Sequence, residues 1–302
     1  MSHDHAMPAG AFEGIGRAFA FGIGLNLAFA VMEWVFGALA GSSALLADAA
    51  HNVSDVLGLS MAWGAAALAK RRSSNRHTYG FRRATTLAAL GNSLLLLTAV
   101  GAVAWEAFGR LRVPADVQGS TMMWVAGAGV AVNGASALLF RRGSRRDVNV
   151  RGAFLHLVAD AAVSAGVVVA GAVLWWTGWR WLDPVASLMI SAAILWGTWA
   201  LFREALHLVL DGVPNDIALD DVRGFLVALP GVEAVHDLHV WAMSTTETAL
   251  TAHLVMPCCD RPPTFLAGLE GELSTRFGIA HSTVQIELSG VEICARAEKG
   301  AL

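Results

Sequence analysis

His51-Asn52-Val53-Ser54-Asp55 lies inside an otherwise apolar run at roughly 44–69, and His156-Leu157-Val158-Ala159-Asp160 inside another at roughly 150–176. In a helix, residues four apart share a face, so each pair aims an imidazole and a carboxylate the same way. A carboxylate at bilayer depth costs about 2.5–3.5 kcal/mol, and ionisable groups placed there usually mark an ion path. Two His and two Asp from two helices make a tetrahedral N2O2 shell for a divalent metal, and zinc suits that shell. One such pair alone reads equally well as an interhelical hydrogen bond; the same spacing twice, in two membrane spans, points to a metal site.

Composition agrees with a membrane protein: 55% of residues are hydrophobic, only 15% are charged, and mean hydropathy is +0.54. The formal net charge of -3 offers no footprint for nucleic acid. Cys258, Cys259 and Cys294 are an odd, clustered set, which reads as reduced thiols or metal ligands rather than a disulfide framework. No basic n-region precedes a short apolar core at the N-terminus, so a cleaved signal peptide is not expected.

Six stretches of spanning length, about 20 residues each, fall at roughly 16–39, 44–69, 84–108, 120–140, 150–176 and 181–208. Lys70, Arg71, Arg72, Arg76, Arg82 and Arg83 occupy the second-to-third connection, and Arg141, Arg142, Arg145, Arg146 and Arg151 the fourth-to-fifth. The first-to-second connection has no Lys or Arg, the third-to-fourth has Arg110 and Arg112, and the fifth-to-sixth has Arg180. The positive-inside rule puts both basic loops and both termini in the cytoplasm. Trp175, Trp176, Trp179 and Trp181 fit an aromatic belt at the opposite interface.

Asp211-Gly212-Val213-Pro214-Asn215 breaks the last span. Beyond it, helical periodicity at 217–228, strands at 234–243 and 248–256, a helix at 262–277 and a strand at 282–288 give αββαβ, a small α+β sandwich. The expected organisation is a cytosolic tail (1–15), a six-helix membrane bundle (16–208), an α+β cytosolic domain (209–290) and a C-terminal tail (291–302).

The segments Gly41–His51 with Asp55, Thr78-Tyr79-Gly80-Phe81-Arg82-Arg83, His156 to Asp160, Leu182-Asp183-Pro184 and Val235-His236-Asp237-Leu238-His239-Val240-Trp241 together resemble the cation diffusion facilitator family of zinc exporters over nearly the whole chain. The resemblance implies a homodimer with six spans and a ferredoxin-like cytosolic domain, exchanging cytosolic divalent metal for protons. It carries the transport site onto His51, Asp55, His156 and Asp160. It also implies a metal site in the cytosolic domain using His236, His253, His281 and Cys294, with a regulatory effect on the dimer. Thr85 and Phe81 depart from the family pattern, standing where many relatives have an acidic residue and some a second His; His77 then reads as an exposed loop residue. His3 and His5 are a candidate metal-collecting tail.

Two carboxylates and two neutral imidazoles cancel the charge of one divalent ion, so protons should enter as the metal leaves, and no separate proton path is required. Histidine, titrating near pH 6.5 when unperturbed, is the natural switch. The ligand set favours zinc, with cadmium, cobalt and nickel as alternatives. No HExxH motif occurs, and four protein ligands leave no open position for water, so the chain is not expected to be an enzyme or to carry an organic cofactor. A membrane metal sensor or channel is the competing class. A bacterial cytoplasmic membrane is the expected location.

Other polar groups lie at membrane depth. Asp48 reads either as a partner orienting His51 or as a helix-terminal residue near the outer interface. Asn26, Glu33, Asn92 and Asn133 are expected to bond between helices or to line the cavity, Glu106 and Arg110 to pair, and Gly22, Gly24, Gly91 and Gly101 to permit close packing. In a regular strand His236 and His239 should face opposite ways.

Overall fold

The computed structural model of the chain describes residues 9–141, 148–257 and 264–289. Cys258, Cys259, Cys294, His3 and His5 lie outside them. Six helices come first: α1 (Ala9–Ala40), α2 (Ser43–Ala69), α3 (Ala84–Arg112), α4 (Gly119–Phe140), α5 (Val148–Thr177) and α6 (Leu182–Val209). There follow α7 (Leu219–Val227), β1 (Ala234–Ala242), β2 (Thr248–Met256), α8 (Thr264–Phe277) and β3 (Ile279–Leu288), the αββαβ order of the sequence reading. Contacts divide the chain into two units, residues 1–60 with 92–200, and 61–91 with 201–302.

In the first unit, backbone amides are satisfied within helices, the one solution for a chain segment surrounded by lipid. By length and composition alone, α3, α6, Gly119–Leu138 of α4 and Phe154–Thr177 of α5 qualify as membrane spans. In α1 the described apolar segment is Gly24–Ala40. α2 does not qualify, and the polar residues Asp48, His51, Asn52, Ser54 and Asp55 along its length are the reason.

Lipid-exposed helices gain little from hydrophobic burial against one another, so close packing of small residues decides how they cross. α4 meets α5 backbone to backbone at Gly119 and Gly171. A Cβ on Gly119 would lie 2.8 Å from the Trp175 nitrogen, and one on Gly171 would lie 2.9 Å from that of Met123. Gly24 and Gly101, expected as packing positions, have nothing within 4 Å of a built Cβ. Around this crossing, Ala44, Ala47, Ala50, Met122, Ala126 and Val167 form part of one buried cluster.

The turn from α1 to α2 passes through Gly41, whose φ of 68° is costly for residues with a Cβ. Asp183 of α6, fully buried, accepts hydrogen bonds from Ser42 Oγ (2.5 Å), Ser43 N (2.9 Å), Ser43 Oγ (2.7 Å) and Ala44 N (3.2 Å). It caps α2 from another helix, satisfying free amides of the first turn and placing a negative charge at the positive end of the helix dipole. Arg110 is paired with Glu106 at 2.5 Å, as expected, and also donates to the Gly41 carbonyl.

In the second unit, β2 is the central strand, antiparallel to β1 and parallel to β3. α7 packs against β1 and α8 against β3. Leu226, Leu238, Leu250, Leu254 and Leu273 are at most 1% exposed and form the core with Ile279; each buried Leu contributes about 1.5–3 kcal/mol. Residues of the basic 70–83 loop belong to the same unit. Arg82 pairs with Glu247 at 2.9 Å, Arg83 with Asp211, and the Tyr79 ring sits edge-on to His281 at 5.8 Å.

One expectation for β1 is corrected. The register passes from His236↔His253 to His239↔Thr251, so β1 holds an extra residue, a β-bulge, at which Asp237 takes a positive φ of 49°. The bulge turns His239 onto the same face as His236, not the opposite one.

Candidate metal centres

α2 and α5 each present one His-x-x-x-Asp face, and the structure brings the two faces together. His156 Nε2 lies 3.0 Å from Asp55 Oδ2 and 3.4 Å from Asp160 Oδ2. His51 Nε2 lies 3.6 Å from Asp55 Oδ2 and 3.5 Å from Asp160 Oδ1. Each imidazole thus faces both carboxylates, with the two rings edge-on at 5.9 Å. Metal–ligand bonds of about 2.0–2.1 Å in a tetrahedron put neighbouring donors about 3.3–3.4 Å apart. The four His–Asp separations bracket that edge, and all four donor atoms lie within 4.8 Å of one another. Charge alternates around the set, so a dication there would neutralise two carboxylates without leaving an unpaired charge. Asp160 is nearly buried, with 8% of its side chain exposed, while His156 is 48% exposed.

Beside this set, Asp48 accepts a hydrogen bond from Ser164 Oγ of α5 at 3.0 Å, and Glu33 of α1 accepts one from Asn52 Nδ2 at 3.0 Å. Asp48 is thus an interior residue bonded to α5, and Glu33 bonds between helices as expected. Asn92 Oδ1 and Asn133 Nδ2 are buried with no hydrogen-bond partner.

A second set stands in the sheet. His236 and His253 are register partners with ring centroids 5.0 Å apart. Glu287 of β3 accepts from His236 Nε2 at 2.9 Å and lies 2.8 Å from His253 Nδ1, out of hydrogen-bond alignment with it. Asp237, at the bulge, lies 3.1 Å from His239 Nε2 and 3.6 Å from His253 Nε2. Burial acts to raise the Glu287 carboxyl; the hydrogen bond from His236 and the charges of both imidazoles outweigh it and hold the group below its ordinary range.

His281 is not in this set. It pairs with Ala249, four residues along β2 from His253, and packs on Tyr79. Cys294 lies outside the described residues. Glu287 and Asp237 were not anticipated. The alternation of β3, with Val284 and Ile286 packed on the core, puts Glu287 on the outward face, but only strand pairing puts it beside the His pair. His77 is exposed, with its ring 4.5 Å from that of Phe81, and among the described residues it joins no group of potential ligands.

Two family models match: the cation efflux transmembrane domain over residues 20–210 and the cytoplasmic domain of cation efflux proteins over 214–289. The metal cation efflux system protein CzcD of Cupriavidus metallidurans is 35% identical over 96% of this chain and 90% of its own length. The zinc transporter ZitB of Escherichia coli is 34% identical over 95% of this chain and 92% of its own. A cadmium, cobalt and zinc/H(+)-K(+) antiporter of Bacillus velezensis is 31% identical over 86% of this chain and 84% of its own. Matched along both units, the chain belongs to the cation diffusion facilitator family, a family of metal transporters rather than enzymes.

Proposed function

We propose that this protein exports divalent metal from the cytosol, zinc before cobalt, cadmium or nickel, in exchange for protons, with His51, Asp55, His156 and Asp160 as the transport ligands. The observation that carries the reading is the alternating His–Asp set on α2 and α5, with donor separations of 3.0–3.6 Å. Two imidazoles among four ligands favour zinc over the hard ions that prefer all-oxygen shells. Metal binding displaces protons from the ligand set; acid on the far side returns them and expels the metal. The antiporter named among the relatives supports the exchange.

The same reading takes α1–α6 as six spans, with both termini on the side of the basic loops, in a bacterial cytoplasmic membrane. It takes the protein as a homodimer, with the cytosolic domain as a dimer contact. His236, His253 and Glu287 form a second, regulatory metal site, to which His281 and Cys294 contribute only with a rearrangement or a partner chain.

The test is zinc and cobalt uptake into liposomes under an imposed pH gradient, comparing the wild type with Asp160→Ala. Gradient-driven zinc uptake that disappears in the variant is the expected result. Uptake indifferent to both the gradient and the substitution overturns the mechanism and leaves a channel, or four structural residues.

A further inference from the structure

Among the described residues of the membrane unit, Glu33 and Asp48 are the most deeply buried carboxyls apart from Asp183, with 0% and 1% exposure. Asp183 is saturated by donors, whereas these two are not. Glu33 Oε2 has Asn52 and Asp48 Oδ2 has Ser164, but Glu33 Oε1 and Asp48 Oδ1 are buried without a hydrogen-bond donor. The two carboxyls lie within hydrogen-bonding reach of each other. Two ionised carboxylates have no donor to offer one another and repel in a low dielectric; one shared proton turns that repulsion into a hydrogen bond.

Among the described residues, no Lys or Arg contributes to the electrostatics of either carboxyl. On α2 the nearest titratable group is His51, one turn beyond Asp48, and α5 brings Asp160 and the hydroxyl of Ser164. α4 faces Ser164 with Gly129, where a Cβ would come within 2.9 Å of Ser164 Oγ, so that helix adds no charge. Among the described residues, no hydrogen bond joins the pair to the four transport donors.

We infer that Glu33 and Asp48 form a proton-binding pair, separate from the metal ligands, that holds one exchangeable proton and gives it up when a dication fills the neighbouring site. This rests on the transport-site reading and adds to it a proton held outside the four ligands. The O–H bond of the shared carboxylic acid breaks, the electron pair stays on the carboxylate, and the proton passes to water. The driving force is Coulombic: a dication entering a low-dielectric interior favours loss of the nearest removable positive charge. Exchange of one dication for two protons then keeps the charge of the unit constant if the ligands give up one proton and the pair the other.

The experiment is calorimetric zinc binding to the full-length purified protein, with Glu287→Gln in every form compared so that the sheet set binds weakly, in two buffers of different protonation enthalpy, which counts protons released per metal at the membrane set. Glu33→Gln is a close mimic of the proton-bridged pair: its amide keeps an oxygen for Asn52 and donates into Asp48. The expected result is metal binding within a few-fold of wild type, with about one proton fewer released per zinc; Asp48→Asn behaves alike. Infrared difference spectra of the wild type should also show a protonated-carboxyl C=O band that disappears on adding zinc, a readout that needs no variant. Proton release equal to wild type in Glu33→Gln, or a metal-free wild type without that band, overturns the inference. Asp160→Ala separates the two readings: if it binds zinc as the wild type does, the transport site itself is wrong, and if it alone loses binding while Glu33→Gln releases the full proton count, only the proton pair is wrong.

Discussion

His156 and Asp55 sit 3.0 Å apart although 101 positions separate them in the chain, and that contact joins the two helices of the candidate site. Asp160→Asn keeps the size and the α5 face but removes one of the two charges that balance a dication. Metal affinity should fall by about 100-fold or more, with the protein still folded; equilibrium dialysis with zinc reads this directly. In the cytosolic set, the lowered pKa of Glu287 makes its ionised form a stabilising group. Its contribution is complete above the ordinary carboxylate value of about 4.3 and is lost as pH falls through the lowered native value. Acid denaturation should therefore be less steep in Glu287→Gln than in wild type over that window, followed by circular dichroism of the β-rich signal. The same variant should weaken zinc binding to the sheet and leave liposome transport at saturating metal measurable.

Between elements, α2 is set by two devices. Its N-terminus is held by Asp183, and its face is met by α5, whose approach to α4 depends on Gly119 and Gly171. Asp183→Ala leaves the amides of Ser43 and Ala44 and two hydroxyls without their acceptor, at a cost of about 1–3 kcal/mol per buried donor. The thermal midpoint in detergent should drop well below that of wild type, and metal affinity should drop with it because α2 loses its anchor. Gly171→Ala puts a methyl group against the α4 backbone, where no side chain can move aside, and should cost about 1–3 kcal/mol. Gly101→Ala, with open space at its Cβ, is the matched control and should be neutral or slightly stabilising. Equal behaviour of the two glycine variants would remove the close crossing as an explanation.

For the whole molecule, the two units call for two different stability measurements. A ligand that binds only the folded state stabilises by mass action, about 2.7 kcal/mol at a hundred times its dissociation constant. Zinc should therefore raise the unfolding midpoint of the sheet domain in the full chain, and a chelator should remove the gain. Glu287→Gln should abolish most of the shift and Asp160→Asn should not, which assigns the effect to the sheet site. The pairs Arg82–Glu247 and Arg83–Asp211 are partly or largely exposed, so each adds at most about 1 kcal/mol.

Helix positions, the αββαβ order and the two His-Asp faces that meet between α2 and α5 were legible in the chain because each rests on local periodicity. Apolar runs of spanning length, breakers at 211–215 and a His-Asp pair at i, i+4 need no knowledge of partners. The faces of β1 were misjudged because a bulge at Asp237 breaks the two-residue period, and nothing in the local pattern marks it. Glu287, Asp183 and the Glu33–Asp48 pair were invisible as partners for a common reason. Each acts across a contact between elements distant in sequence, and a carboxylate's role is set by the donors that reach it. Ser43 for Asp183, His236 for Glu287 and Asn52 for Glu33 come from other elements. The chain determined which chemistry stands on which face of each regular helix; only the packing of those faces decided which carboxylates are capped, which bridge histidines and which are left with one donor each beside another carboxyl, because that depends on distances set by folding.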